Sequence, residues 1–212
     1  MQEIDYLSIN QELGRQRKEM TKNSKLDIFI SILFVVYLLF PATAHSQVMV
    51  HRHFQLEDGL VQSQVRSIYE DSNGYLWIGT MNGISRWDGR NFKNYYPYEG
   101  LPSSIVYKFF EMDNGLLLAC THNGMAAIKK DTIVTMDIFK FLKDISVADI
   151  CIDKNGVMYI GTWGAGVFVI NGLSVDSLNI KKGLSNNYVH DLELDYDGNL
   201  MVATDSGLNI VH

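Results

Sequence analysis

The chain has very little cysteine and proline, two and three residues among 212. So sparse a cysteine set excludes a disulfide-built mini-domain, and the core must come from apolar packing. Basic residues are outnumbered, 18 against 24 acidic, for a formal net charge of −6, and no Lys/Arg run occurs. That excludes the electrostatic footprint of a nucleic-acid or anionic-membrane binder. No Gly-x-Ser-x-Gly elbow is present, and His122 has no second imidazole or carboxylate at a metal-ligand spacing. Neither a hydrolase nucleophile nor a metal or other cofactor is expected. Long apolar runs are also missing, apart from Ile28 to Phe40, which only Ser31 interrupts. Roughly 13 residues fall short of the ~20 that span a bilayer.

That one run reads as part of a secretory signal. Lys22 and Lys25 precede it, and Ala42-Thr43-Ala44 supplies a small-x-small cleavage signal. Cleavage after Ala44 places the rest of the chain in the periplasm or outside the cell. Residues 1–19 are polar and lengthen the leader, so Met20 is an alternative start that N-terminal sequencing would test. Removing residues 1–44 leaves 13 basic groups (18 minus 5) and 19 acidic groups (24 minus 5), and the net charge stays at −6.

What the sequence does contain is a period. Gly74, Gly115, Gly156 and Gly198 are 41, 41 and 42 residues apart, and Thr80, Thr121, Thr162 and Thr204 keep the same intervals. Leu60, Leu101, Leu142 and Leu184 repeat in step, as do Val65, Val106, Val147 and Val189. The extra residue falls in Thr162-Trp163-Gly164-Ala165-Gly166, where the other copies read Thr-x-Asn-Gly or Thr-x-Ser-Gly. A fixed period of about 40 to 45 residues holding four short strands is a propeller blade. The fold class is therefore all-β, a β-propeller of four-stranded antiparallel blades at about 60–98, 101–139, 142–180 and 184–212.

In the first copy, 64–70 reads as the inner strand and Asp71-Ser72-Asn73-Gly74 as a hairpin turn with positive φ at both central residues. Leu76 to Thr80, Ile84 to Asp88 and Phe92 to Tyr96 follow as the second, third and outer strands. The second strand, β-branched and aromatic, suits burial on both faces, with Trp77 in the core and Trp87 packed between blades. No long helix fits between residues 53 and 212. His53 to Leu56 lies 41 residues before Asn94 to Pro97 and matches an outer strand without a blade of its own. Residues 53–57 thus either complete the fourth blade and close a four-bladed ring, or the chain is part of a larger ring. The second arrangement is preferred, because 41-residue blades resemble those of larger rings. Cys120 and Cys151 fall on strands of neighbouring blades, as two free thiols or, in an exported protein, a disulfide.

The run from Gly59 through Val65, Asp71, Gly74, Leu76-Trp77-Ile78-Gly79-Thr80, Gly83 and Arg86-Trp87-Asp88 closely resembles the two-component regulator propeller repeat. The later copies depart from it at Leu118-Ala119-Cys120, at Phe141-Leu142 and at Met201-Val202-Ala203. The resemblance implies the extracytoplasmic sensor region of a hybrid sensor histidine kinase, commonly one that responds to oligosaccharides. The kinase, the membrane helix and the DNA-binding regulator it implies are not encoded here, so this chain is expected to bind rather than to catalyse.

Loops from outer to next inner strand share one face of a propeller with the loops between second and third strands. Candidate ligand-binding residues on that face are Gln64, Ser104 and Asn187 from the first kind of loop. Asn82, His122, Asn123, Trp163 and Asp205 come from the second. Amides, hydroxyls, a carboxylate and an exposed aromatic plate suit a sugar, which needs hydrogen bonds in both senses and an apolar surface for its ring face. The Asp71 and Asp153 loops resemble calcium loops, but they lack a Glu at loop position 12 and lie on the opposite face. Expected partners are an oligosaccharide or other small ligand, and a second propeller or homodimer. Nucleic acid is not among them, and a membrane is reached only through segments outside this sequence. The competing classes are a protein-interaction scaffold and a propeller lyase or glycosidase. The latter would need paired acids, or a His with a Tyr or Glu, at the channel.

Overall fold

The structure is a computed structural model, and it describes residues 11, 13–18, 28–34, 51–134 and 136–212. It divides into an N-terminal unit, Met1–His51, and a second unit, Arg52–His212. In the first unit the described residues 11, 13–18 and 28–34 are helical. Among the described residues no helix is long and apolar enough to cross a membrane. The cleavage signal at Ala42-Thr43-Ala44 lies outside the described residues, as does the alternative start at Met20.

The second unit is built from strands and short 3₁₀ turns. Blade one comprises β1 (Val65–Glu70), β2 (Leu76–Thr80), β3 (Gly83–Trp87) and β4 (Phe92–Tyr95). Blade two comprises β5 (Val106–Glu111), β6 (Leu117–Thr121), β7 (Gly124–Lys129) and β8 (Thr132–Val134). Blade three comprises β9 (Val147–Ile152), β10 (Met158–Thr162), β11 (Gly166–Asn171) and β12 (Ser174–Leu178). Blade four has β13 (Val189–Leu194), β14 (Leu200–Thr204) and β15 (Gly207–Val211). In each sheet, strands lie in chain order and pair antiparallel, so this is a β-propeller of four blades.

Three apolar cores join successive blades. Trp77, Ile84 and Tyr95 of the first pack against Val106, Phe109 and Ala119 of the second. Leu118, Cys120 and Met125 meet Val147, Ile150 and Ile160 of the third. Val167 meets Val189, Leu192 and Val202 of the fourth. Glycine in the second strand lets the next blade approach, since a Cβ on Gly79 would lie 3.0 Å from Val106 Cγ1 and one on Gly161 2.8 Å from Val189 Cγ1. Val106, Val147 and Val189 are fully buried, whereas Val65, at the same repeat position on β1, is 44% exposed because no preceding blade covers it. The packing runs β1 on β5, β5 on β9 and β9 on β13, and no comparable contact joins β13 to β1.

The structure corrects several details of the sequence reading. In the Asp71–Gly74 turn only Gly74 has positive φ, 79°. The Asp71 carboxylate accepts from Asn73 N and Tyr75 N, both at 2.9 Å, and so shapes the loop that backbone strain would otherwise have to shape. Residues 53–57 add no strand to β15, and blade four remains three-stranded. Instead Phe54 packs on Trp87 and Phe92 of blade one, with centroids 5.4 and 5.3 Å away. Trp87 thus has Phe54 of this N-terminal segment as a ring partner. Trp77 is a core residue, 4% exposed. Both cysteines are free thiols, so the disulfide alternative falls.

Candidate functional site

Two backbone rails fix the loops of one face. Within each blade, the N–H of the residue after the recurring threonine donates to the carbonyl of the residue before the inner-strand valine. These bonds are Met81 N to Gln64 O, His122 N to Ile105 O, Trp163 N to Ser146 O and Asp205 N to Tyr188 O, at 2.9 to 3.3 Å. Between blades, Gly83 N donates to Ser104 O, Gly124 N to Ile145 O, and Gly166 N to Asn187 O. The threonine closes the hairpin itself: Thr80, Thr121 and Thr162 are buried, and their Oγ1 atoms donate to the carbonyls of Gly83, Gly124 and Gly166 at 2.7 to 2.9 Å.

A β-bulge then re-aims one residue on every inner strand. Val65 pairs with Thr80 and Ser67 with Gly79, so Arg66 is the extra residue. Tyr107, Ala148 and His190 occupy the same place in the other blades. Three of these residues, Arg66, Tyr107 and His190, meet the side chains that follow the threonines. Arg66 Nε donates to Met81 Sδ at 2.8 Å, and its guanidinium lies 5.5 Å from the Tyr107 ring centroid. Tyr107 Oη and His122 Nδ1 are 3.0 Å apart. The Tyr107 and Trp163 rings are 4.8 Å apart, and Trp163 lies 6.4 Å from His190. His190 Nε2 is 2.5 Å from Asp205 Oδ1. The result is a continuous arc, Arg66–Tyr107–His122–Trp163–His190–Asp205, spanning all four blades.

A charged cluster sits one residue further along the inner strands. Lys108 Nζ bonds Asp149 Oδ2 at 2.6 Å and Asp191 Oδ1 at 2.9 Å. Asp149 is fully buried and also accepts from Leu192 N at 2.8 Å. Burial pushes the Asp149 carboxyl up to about 6. For Asp191 burial acts in the same direction, but hydrogen bonds with Asp149 and Lys108 outweigh it and hold the group below the usual range. Lys108 is raised, its bonds to the two carboxylates overcoming desolvation.

Of the residues picked out by sequence, His122, Trp163 and Asp205 come together in the arc. Gln64, Ser104 and Asn187 lend their carbonyls to the rails, and the Asn187 side chain accepts from Ile180 N at 2.9 Å. Asn82 N donates to Thr80 Oγ1 at 3.0 Å as part of its turn. Asn123 lines a separate cavity of about 460 Å³ with Met125, Val134 and Phe139. Arg66, Tyr107 and His190 are not among the residues picked out by sequence, and they supply the partners of His122 and Asp205. The signal was present, because Arg66, Tyr107, Ala148 and His190 follow the repeating valines at the same intervals of 41, 41 and 42. Among the described residues no three His, Cys, Asp or Glu side chains could hold a metal ion.

Comparison with known proteins agrees with this architecture. Residues 59–82, 142–164 and 183–206 match the family described as two component regulator propeller. The second copy lies outside these matches, and it carries Cys120 where the first has the close-approach glycine Gly79. Histidine kinase P4 of Formosa agariphila is 39% identical over 70 residues, which is 33% of this chain and 5% of that protein. The extracellular domain of a hybrid two component system from B. thetaiotaomicron superposes with a TM-score of 0.61 at 26% identity, over 69% of this chain and 20% of that one. Virginiamycin B lyase from Staphylococcus aureus shares the fold, with a TM-score of 0.50 at 17% identity, over 69% of this chain and 54% of the lyase. The chain thus spans a small part of the length of the two sensor relatives.

Proposed function

We propose, for a chain that carries two-component regulator propeller repeats and resembles the extracellular domain of a hybrid two component system, that it is an extracytoplasmic ligand-sensing module. Its ligand is an oligosaccharide. The observation that carries this reading is the arc itself. Exposed Trp163 and half-buried Tyr107 offer apolar plates, while His122, His190 and Asp205 offer donors and acceptors at the rim. Sugars are bound by that combination of ring stacking and directional hydrogen bonds. The plates are held by rails and bulges of a rigid scaffold, so little ordering entropy opposes binding.

A glycan array probed with the whole chain tests this reading. Binding to one class of oligosaccharide that Trp163→Ala abolishes, with the melting temperature kept, would support it. An array without signal for the folded chain would overturn it.

One observation favours a second reading. Tyr107 Oη and His122 Nδ1, 3.0 Å apart at the same arc, form an acid–base pair of the type a propeller lyase needs. Chromatography of the bound glycan after incubation separates the two readings, since a sensor returns it intact and a lyase returns shorter, unsaturated products.

A further inference from the structure

The charge distribution along the arc points to a narrower ligand class, and this step rests on the sensor reading above. Asp205 is engaged by His190 at 2.5 Å. At the other end, Arg66 has no carboxylate partner among the described residues. Its contacts are the Met81 thioether, a weak acceptor, and the face of Tyr107. A guanidinium carries five donors in a planar fork that matches a carboxylate bidentately, and here the fork is exposed and open to a ligand. The bulge holds this exposed side chain beside the Tyr107 ring. Tyr107 lies between Arg66, 5.5 Å away, and Trp163, 4.8 Å away. A ligand lying along the rings therefore brings its end to the guanidinium.

We infer that the arc takes an acidic oligosaccharide, with a uronic-acid carboxylate on Arg66 and neighbouring sugar faces on Tyr107 and Trp163. The charged contact gives selectivity and a salt-sensitive affinity, and the aromatic contacts give the bulk of the binding.

Titration calorimetry on the whole chain with matched pairs of oligomers tests this. Each pair shares linkage and length, one member built from glucuronic, galacturonic or mannuronic acid and the other from the neutral parent sugar. The expected result is at least one pair whose acidic member binds tenfold or more tighter. Arg66→Gln should reduce that member to the affinity of its neutral twin, and Arg66→Lys should keep part of the preference. Equal affinities within every binding pair, or a preference that survives Arg66→Gln, overturn the acidic assignment and leave the sensor reading standing. Failure of every member to bind a chain shown by circular dichroism to be folded overturns both.

Discussion

Lys108 of blade two places its ammonium 2.6 Å from the fully buried carboxylate of Asp149 in blade three and 2.9 Å from Asp191 in blade four. One side chain thus ties three inner strands around the axis. Lys108→Ala leaves a buried carboxylate without its cation. Because Lys108 keeps some solvent contact, the expected loss is about 2–3 kcal/mol, below the range for a fully buried pair. Urea denaturation of the variant measures it, and a loss under about 0.5 kcal/mol would mean that the cluster contributes no stability.

Asp149 gives that cluster a pH dependence of definite sign. Burial raises its folded pKa to about 6, above the value in the unfolded chain. Such a carboxyl adds stability in acid, and the contribution is lost as pH rises through about 6. Asp191 works oppositely: its folded value is lowered, so its contribution is present at neutral pH and lost in acid. Asp149→Asn removes the first effect. The wild type's advantage in melting temperature over the variant should be larger near about pH 5 than near about pH 7.5. An advantage that grows with pH would show the sign to be wrong.

The rails depend on glycine where the backbone is left-handed. Gly83 has φ of 122°, and a Cβ there would lie 2.5 Å from the Tyr95 carbonyl oxygen. Gly83→Ala is therefore expected to cost about 2–3 kcal/mol, more than the 1 kcal/mol or so of an ordinary glycine-to-alanine misfit. Gly74 has open space around its Cα, and its alanine variant meets only the φ penalty. Thermal melts of the two variants should rank Gly83→Ala as clearly the less stable.

Much of this molecule is legible in the sequence, for a physical reason. Each blade solves the same problem, so Thr80 and its equivalents, the turn glycines and the inner-strand valines recur where the same buried hydrogen bond, turn and interblade contact recur. The site is less legible. A bulge shifts register by one residue, and side-chain alternation alone does not reveal that Arg66, Tyr107 and His190 are turned to one face. Ser104 and Asn187 are picked for their side chains, and spacing alone does not show that their carbonyls also serve the fold. Phe54 sits in a segment that matches an outer strand by spacing, but Trp87 and Phe92 offer it an aromatic surface in blade one.

The measurement that bears most directly on the sensor arc uses the chain's three tryptophans. Each gives one indole N–H signal in a ¹⁵N-labelled sample, and their settings differ. Trp77 donates to Asp71 in the core at 2.8 Å, Trp87 packs on Phe54, and Trp163 stands in the arc. Titration with an oligosaccharide that the array identifies should move the Trp163 signal and leave those of Trp77 and Trp87 in place. Binding that leaves Trp163 unmoved, or that moves Trp87 instead, would put the ligand elsewhere and contradict the assignment of the arc as the sensing site.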